Sequence, residues 1–278
     1  MTALRLPALV STAAAHLRDA LLESAFPADC PVCGECLPGR SPGGVCLSCW
    51  SQLRPLRPPF CPRCALPFPR DTIEMIGGAP SAAPDEPCGS CLADPPPFSS
   101  ARALSEYDGT ARAILHTFKF GGQPGIAGTL GRLMAACWLA SPGVAGPDPI
   151  VVPVPQRFWK ERVRGFNPAA LLARSLAGSL GLPVERRVLR KTRRTADQAL
   201  LASAGQRQVN VAGAFSVSRL LGGRIDGRRV MLVDDILTTG ATAKACARAL
   251  LDAGARDVVV LAAARTPRDA SRTRSPLV

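Results

Sequence analysis

With 278 residues and 47% hydrophobic content, the chain is long enough for one α/β domain plus a smaller module, and rich enough in apolar residues for a packed core. Its formal net charge of +13 excludes an acidic surface and favours polyanionic partners: phosphorylated metabolites, nucleic acid or acidic membrane surfaces. No apolar run reaches the roughly 18 residues of a membrane span, which predicts a chain with no membrane span.

Residues 1–15 imitate an export signal, with Arg5 ahead of an apolar stretch and alanines at 13–15. Val10, Ala14, Leu17 and Leu21 nevertheless recur at helical spacing, and charges continue through Glu23. Residues 1–24 are therefore predicted as a short amphipathic helix, and the protein as cytoplasmic.

Nine of the 11 cysteines fall between Cys30 and Cys91, and eight of those form four C-x-x-C pairs: Cys30/Cys33, Cys46/Cys49, Cys61/Cys64 and Cys88/Cys91. In a chain read as retained in the cytoplasm this pattern argues for metal rather than disulfides, and a redox pair would not need four copies. Zinc takes four thiolates in a tetrahedron, so four pairs predict two closed, structural sites. Sequential pairing gives Cys30, Cys33, Cys46 and Cys49 for one ion and Cys61, Cys64, Cys88 and Cys91 for the other; spacing leaves a crossed pairing open. Cys36 is a ninth thiol, spare or an alternative ligand. This Pro-, Gly- and Cys-rich stretch is assigned to residues 25–97 as a module held by metal rather than by a core, with 65–87 as a loop between pairs.

Residues 98–278 have the composition of an α/β domain. Stretches 114–120 and 130–139 read as helices separated by Gly121 and Gly122; 150–154 reads as a buried strand bounded by prolines. A helix is predicted over 168–180, entered by Asn167 and Pro168 and ended by Gly181 and Pro183. Strands at 229–233 and 258–261 flank an alanine-rich helix at 241–253, closed by Gly254, which is the order of a βαβ unit in a parallel sheet. Cys137 and Cys246 read as core residues, and His16 and His116 as surface or satisfied core.

The strongest functional signal spans Val230 to Thr242. An apolar strand delivers Asp234 and Asp235, and then Thr238-Thr239-Gly240-Ala241-Thr242 opens a helix. A helix N-terminus with threonine hydroxyls is a phosphate cradle, and two carboxylates beside it suit ribose hydroxyls and an associated magnesium ion. Phosphate and sugar together indicate a phosphorylated pentose. The blander reading, an acidic pair that only caps the following helix, leaves the hydroxyl-rich turn unexplained.

This segment resembles the phosphoribosyl pyrophosphate (PRPP) motif of type I phosphoribosyltransferases. Val151-Val152-Pro153-Val154-Pro155, Arg164-Gly165-Phe166-Asn167, Gln198, Arg207, Asn210 and Gly213-Ala214-Phe215 are similar to landmarks of the ComF family, competence-associated proteins also called GntX-like, and the cysteine pairs resemble the double zinc ribbon of that family. Pro168 stands where a glutamine is usual, and Asp197 where a proline is frequent. The resemblance implies a parallel sheet flanked by helices behind a zinc-ribbon module. It assigns Asp234 and Asp235 to the ribose hydroxyls, and Thr238, Thr239, Gly240, Ala241 and Thr242 to the 5'-phosphate. It also places Gln156 and Arg157 in a pyrophosphate loop, and Lys191 and Arg193 in a mobile catalytic loop that runs on to Arg207. Lys119 is typical of the family, without an assigned role.

Between residues 151 and 210 there are 12 Lys/Arg against 3 Asp/Glu. This excess suits a pyrophosphate-bearing ligand, and it equally suits single-stranded DNA, with Phe158, Trp159 and Phe166 interleaved among Arg157, Lys160, Arg162 and Arg164 as stacking groups. Two functions follow: a phosphoribosyltransferase using PRPP and magnesium with an acceptor the sequence does not name, or a non-catalytic module binding PRPP or single-stranded DNA. By family analogy either serves DNA uptake, with uptake or recombination proteins as partners.

Overall fold

The computed structural model describes residues 28–37, 41–68, 86–141, 149–156, 158–192 and 213–267. The expected N-terminal helix, Arg157, Arg193, Gln198, Arg207 and Asn210 lie outside them.

Two short helices, α1 (Leu47–Ser51) and α2 (Gly89–Ala93), each start at a cysteine of a C-x-x-C pair. The α/β portion follows as β1 (Ser100–Glu106), α3 (Gly109–Phe120), α4 (Ile126–Leu139), β2 (Ile150–Pro153), α5 (Phe158–Arg164), α6 (Pro168–Leu180), β3 (Leu189–Lys191), β4 (Phe215–Val217), β5 (Arg229–Leu237), α7 (Ala241–Asp252) and β6 (Asp257–Arg265). A four-stranded sheet in the order β1-β6-β5-β2 is parallel throughout, and β3 and β4 form a separate antiparallel pair.

Side chains alternate across a strand, and the two cores follow that alternation. Val151, Met231, Val233, Val259 and Leu261 face α3, α4 and α6; Val152, Val230, Leu232, Val258 and Val260 face α7. The unbroken apolar runs of β5 and β6 are what burial on both faces requires. Helix α6 has the expected bounds: Asn167 Oδ1 accepts from the Ala170 N–H at 3.4 Å, Pro168 takes the first turn, and Gly181 leaves the helix at φ 69°.

Several features differ from the sequence expectations. Strand β1, seven residues of mixed small, polar and charged side chains, joins the edge of the sheet beside β6. Helix α3 begins at Gly109 rather than 114. Helix α5 forms within the segment read as a basic track. Strand β5 continues past Val233 to Leu237, because its ladder with β6 persists through Asp234↔Ala262 and Leu237↔Arg265. Its other neighbour, β2, stops opposite Val233, so the acidic pair emerges where the sheet narrows. The first cysteine group also shares a core with the helices: Cys30, Val45, Cys46 and Leu53 pack in one cluster with Ile114, Phe118 and Leu130.

No helix among the described residues is long and apolar enough to cross a membrane.

Candidate functional site

The eight paired cysteines gather into two groups, Cys30/Cys33/Cys46/Cys49 and Cys61/Cys64/Cys88/Cys91, with the sulfurs of each group within 4.8 Å of one another. Pairing is thus sequential. A tetrahedron with metal–sulfur bonds of about 2.3 Å has sulfurs about 3.8 Å apart. The observed separations are 3.9 Å for Cys30–Cys49, 3.7 Å for Cys33–Cys46 and 3.7 Å for Cys64–Cys88. Backbone N–H groups point at the sulfurs, Cys46 N–H to Cys30 Sγ at 3.4 Å and Cys88 N–H to Cys61 Sγ at 3.2 Å. Burial opposes ionisation of Cys30, but the N–H groups of Cys46, Cys33 and Val32 draw its thiol down to about 6. At Cys61 a hydrogen bond from the Cys64 thiol prevails over burial and brings it to about 4, while Cys91 is pushed up to about 12 by burial and its anionic neighbours. Each group is a donor set suited to a soft divalent cation, and the two four-cysteine clusters support structural zinc. Cys36 is exposed and in neither group.

At the carboxyl end of β5 the chain runs into Thr238, Thr239 and Gly240 before α7. Both threonines are exposed, and Gly240 is left-handed at φ 80°, with open space where a Cβ would stand. Any other residue would be strained there and would intrude on the helix entrance. Thr239 Oγ1 accepts from the Ala241 N–H at 3.4 Å, and Ala241 is buried. The result is an open N-terminus on a helix of three turns, a place where backbone dipoles favour an anion.

Asp234 and Asp235 stand side by side near the end of β5, close enough for their carboxyl groups to interact. Asp235 turns toward α3, where Lys119 Nζ reaches its Oδ1 at 2.9 Å. Asp234 turns toward α7 and the buried Cys246, and its Oδ1 accepts the Asp235 N–H at 2.9 Å. Burial, with Asp235 beside it, raises the Asp234 carboxyl from 3.8 to about 8, Lys119 offsetting part of the rise. Arg164, from the end of α5, lies over the Phe120 ring at 4.8 Å, and Phe166 stacks on Phe118 at 5.6 Å. Burial lowers the Arg164 pKa, and Asp235 pulls it back up. Two cations and two carboxylates therefore meet at the end of the sheet.

The double zinc ribbon domain family matches residues 21–92, and the phosphoribosyl transferase domain family matches residues 162–276. The DNA utilization protein YhgH of Salmonella typhimurium is 35% identical over 228 residues, 80% of this chain and 91% of that protein. Competence protein F of Haemophilus influenzae is 27% identical over 80% of this chain and 90% of its own, and competence protein ComFC of Bacillus subtilis 26% identical over 76% and 79%. The chain belongs to the ComF family. Among solved structures, the glutamine phosphoribosylpyrophosphate amidotransferase from B. subtilis is similar with a TM-score of 0.36 at 22% identity, over 54% of this chain and 30% of that one. The ComF-family sheet with its flanking helices is of the phosphoribosyltransferase type.

The remaining predicted ComF residues are placed as follows. Gln156 follows β2, and its Oε1 is buried without a hydrogen-bond partner among the described residues. Lys191 ends β3, with its ammonium 5.4 Å from the centre of the Phe215 ring. Thr242 lies in the first turn of α7. A groove of about 640 Å³ bordered by Pro95, Phe215, Lys244 and Arg248 lies along α7 and includes neither Asp234 nor Asp235. Sequence reasoning gave Lys119 no role, and it passed over Arg265. Arg265 ends the apolar run of β6, and a charge at that position has to find internal partners, which was the available signal.

Proposed function

We propose that this ComF-family protein binds PRPP with magnesium at the Asp234–Thr242 turn and acts as a phosphoribosyltransferase-type protein in DNA uptake. The observation that carries this reading is the left-handed Gly240 entrance to α7 beside the two carboxylates, a phosphate cradle and a sugar-hydroxyl acceptor on one strand-to-helix turn. The 5'-phosphate docks on Thr238, Thr239, Gly240, Ala241 and Thr242, and Asp234 and Asp235 take the ribose hydroxyls. Gln156, which follows β2, is assigned to the pyrophosphate through its amide N–H groups, and Arg157 through its charge.

The oxygen-rich donor set here, two carboxylates with a cation already drawn to one of them, fits magnesium carried in with the pyrophosphate. When bound, that ion neutralises charge on the departing pyrophosphate. The chain's own part is to orient the ribose through Asp234 and Asp235, to fix the phosphate at α7, and to bring Lys191 and Arg193 over the leaving group as positive charge develops at the anomeric carbon. No covalent nucleophile is required. The two cysteine groups hold two structural zinc ions. The proposed organisation is a helix at residues 1–24, a zinc module at 25–97 and a phosphoribosyltransferase-type domain at 98–278.

Names of the relatives, DNA utilization and competence proteins, support single-stranded DNA as a second polyanionic partner, reached through the basic stretch 157–194. Its binding is expected to weaken steeply with salt.

Calorimetry with PRPP and magnesium tests the site. Wild-type protein binds; the variant carrying both Asp234→Asn and Asp235→Asn retains its fold and loses most of the affinity, since charge-assisted hydrogen bonds contribute about 1.5–3 kcal/mol each. Absence of wild-type binding, or equal binding by the double variant, overturns the assignment. Pyrophosphate release with an acceptor identifies an enzyme, and binding without release across a broad panel identifies the non-catalytic module.

A further inference from the structure

Arg265 is 5% exposed, and it donates to four backbone carbonyls. Nε donates to Cys64 O at 2.9 Å; Nη1 donates to Leu237 O and Thr266 O, each at 2.9 Å, and to Thr238 O. Among the described residues no carboxylate pairs with it. One guanidinium therefore joins the C-x-x-C turn of the second cysteine group to the residues that enter the phosphate turn.

A buried cation without a counter-ion is costly, and Cys64, whose carbonyl Arg265 holds, contributes one of the four sulfurs of the second group. A tetrathiolate around a divalent zinc carries a net charge of about −2. Arg102 approaches the same group from β1, with Nη1 donating to Pro62 O at 3.2 Å. Two arginines of the sheet thus face the second centre as its complement of charge. Of the two, Arg265 extends from there to the phosphate turn, where Thr266 N–H also donates to Leu237 O at 3.0 Å.

We propose that Arg265 is a positioning residue for the phosphate turn: it holds the Leu237 and Thr238 carbonyls in register while the second metal centre balances its charge, so occupancy of that centre sets the turn's affinity for sugar phosphates. The affinity part rests on the reading of the turn as a sugar-phosphate site; the mechanical part does not. A neutral side chain at 265 loses both the charge and the fork, whereas lysine keeps the charge and one point of contact. By linkage, a sugar phosphate that prefers the ordered turn must in return strengthen metal retention at the second centre.

The test compares full-length wild type with Arg265→Gln, Arg265→Lys and Cys91→Ser. Amide deuterium uptake of the peptide 236–242 is followed without ligand, with the peptide 150–153 as a fold control. Uptake at 236–242 is expected to quicken at least tenfold in Arg265→Gln and Cys91→Ser, and less in Arg265→Lys, while 150–153 is unchanged. Ribose 5-phosphate affinity, by calorimetry, falls at least tenfold in the first two variants and is partly restored by lysine. In wild type alone, ribose 5-phosphate slows zinc transfer to a chromogenic chelator several-fold. Wild-type uptake at 236–242 in all three variants overturns the proposal. If Arg265→Gln unfolds, Arg265→Lys decides by the same readout. Failure of wild type to bind ribose 5-phosphate or PRPP removes the sugar-phosphate reading and leaves the exchange arm to decide the coupling.

Discussion

Lys119 Nζ lies 2.9 Å from Asp235 Oδ1, tying the last turn of α3 to the strand that carries the acidic pair, with side chains only 17% and 12% exposed. The bridge gives a role to a lysine whose sequence context offered none. Because it is sheltered, removing one partner leaves the other charged and poorly solvated, which costs more than breaking a surface pair. Lys119→Ala is expected to destabilise the fold by about 1–3 kcal/mol in denaturant unfolding and to weaken PRPP binding about tenfold by releasing Asp235. Unchanged stability and affinity would make the bridge incidental.

Asp234 supplies a pH dependence. Its carboxyl stands at about 8 in the folded chain against an ordinary 3.8, so between those values the folded state holds a proton that the unfolded state has lost. The corresponding stabilisation is complete below pH 3.8 and disappears as pH rises through about 8. On the order of 3 kcal/mol is expected to be lost across that window, other groups aside, allowing for partial exposure of the residue. Unfolding of ligand-free protein at several pH values checks this: Asp234→Asn flattens the profile and is more stable than wild type at pH 9. A ligand that favours the ionised carboxylate also releases protons on binding at neutral pH, visible by calorimetry in buffers of different ionisation enthalpy.

Gly240→Ala tests the cradle. Its left-handed φ of 80° imposes a strain of about 1–2 kcal/mol on an alanine, seen as a melting temperature a few degrees lower. The added methyl also occupies the open space at the helix entrance, so ribose 5-phosphate affinity should fall at least tenfold, more than the stability change explains. A bulky residue at Thr239 acts in the same direction. Retained affinity in both would move the phosphate elsewhere.

Two zinc ions per chain are expected by elemental analysis. The sequential grouping makes a sharper forecast: Cys33→Ser with Cys46→Ser loses one ion, whereas Cys33→Ser with Cys64→Ser loses both. The first centre is expected to matter more for global stability, because Cys30, Cys46 and Cys49 are buried in the same core as α3 and α4. Thermal unfolding of Cys46→Ser and Cys88→Ser compares the two.

What the sequence determined by itself is what local chemistry dictates. Four C-x-x-C pairs can chelate two metals wherever the chain folds, Asn167-Pro168 and Gly181 set the ends of α6 through capping and backbone conformation, and Asp234-Asp235 with the later Thr-Thr-Gly-Ala-Thr marks a strand-to-helix turn. The tertiary structure decided everything that rests on long-range pairing. Sequential and crossed cysteine pairing have the same spacing and differ only in three-dimensional approach. Strand β5 outlasts its apolar run because β6 pairs with it beyond Val233, and that added length carries Asp234 and Asp235 to the end of the sheet. The contacts of Lys119 with Asp235 and of Arg265 with Cys64 and Thr238 join residues 116, 201 and 27 positions apart, so no local pattern encodes them. A buried charge is legible in sequence as an anomaly, but its partner is chosen by the fold, since only packing brings a carboxylate or carbonyl within the 3 Å or so that a hydrogen bond needs.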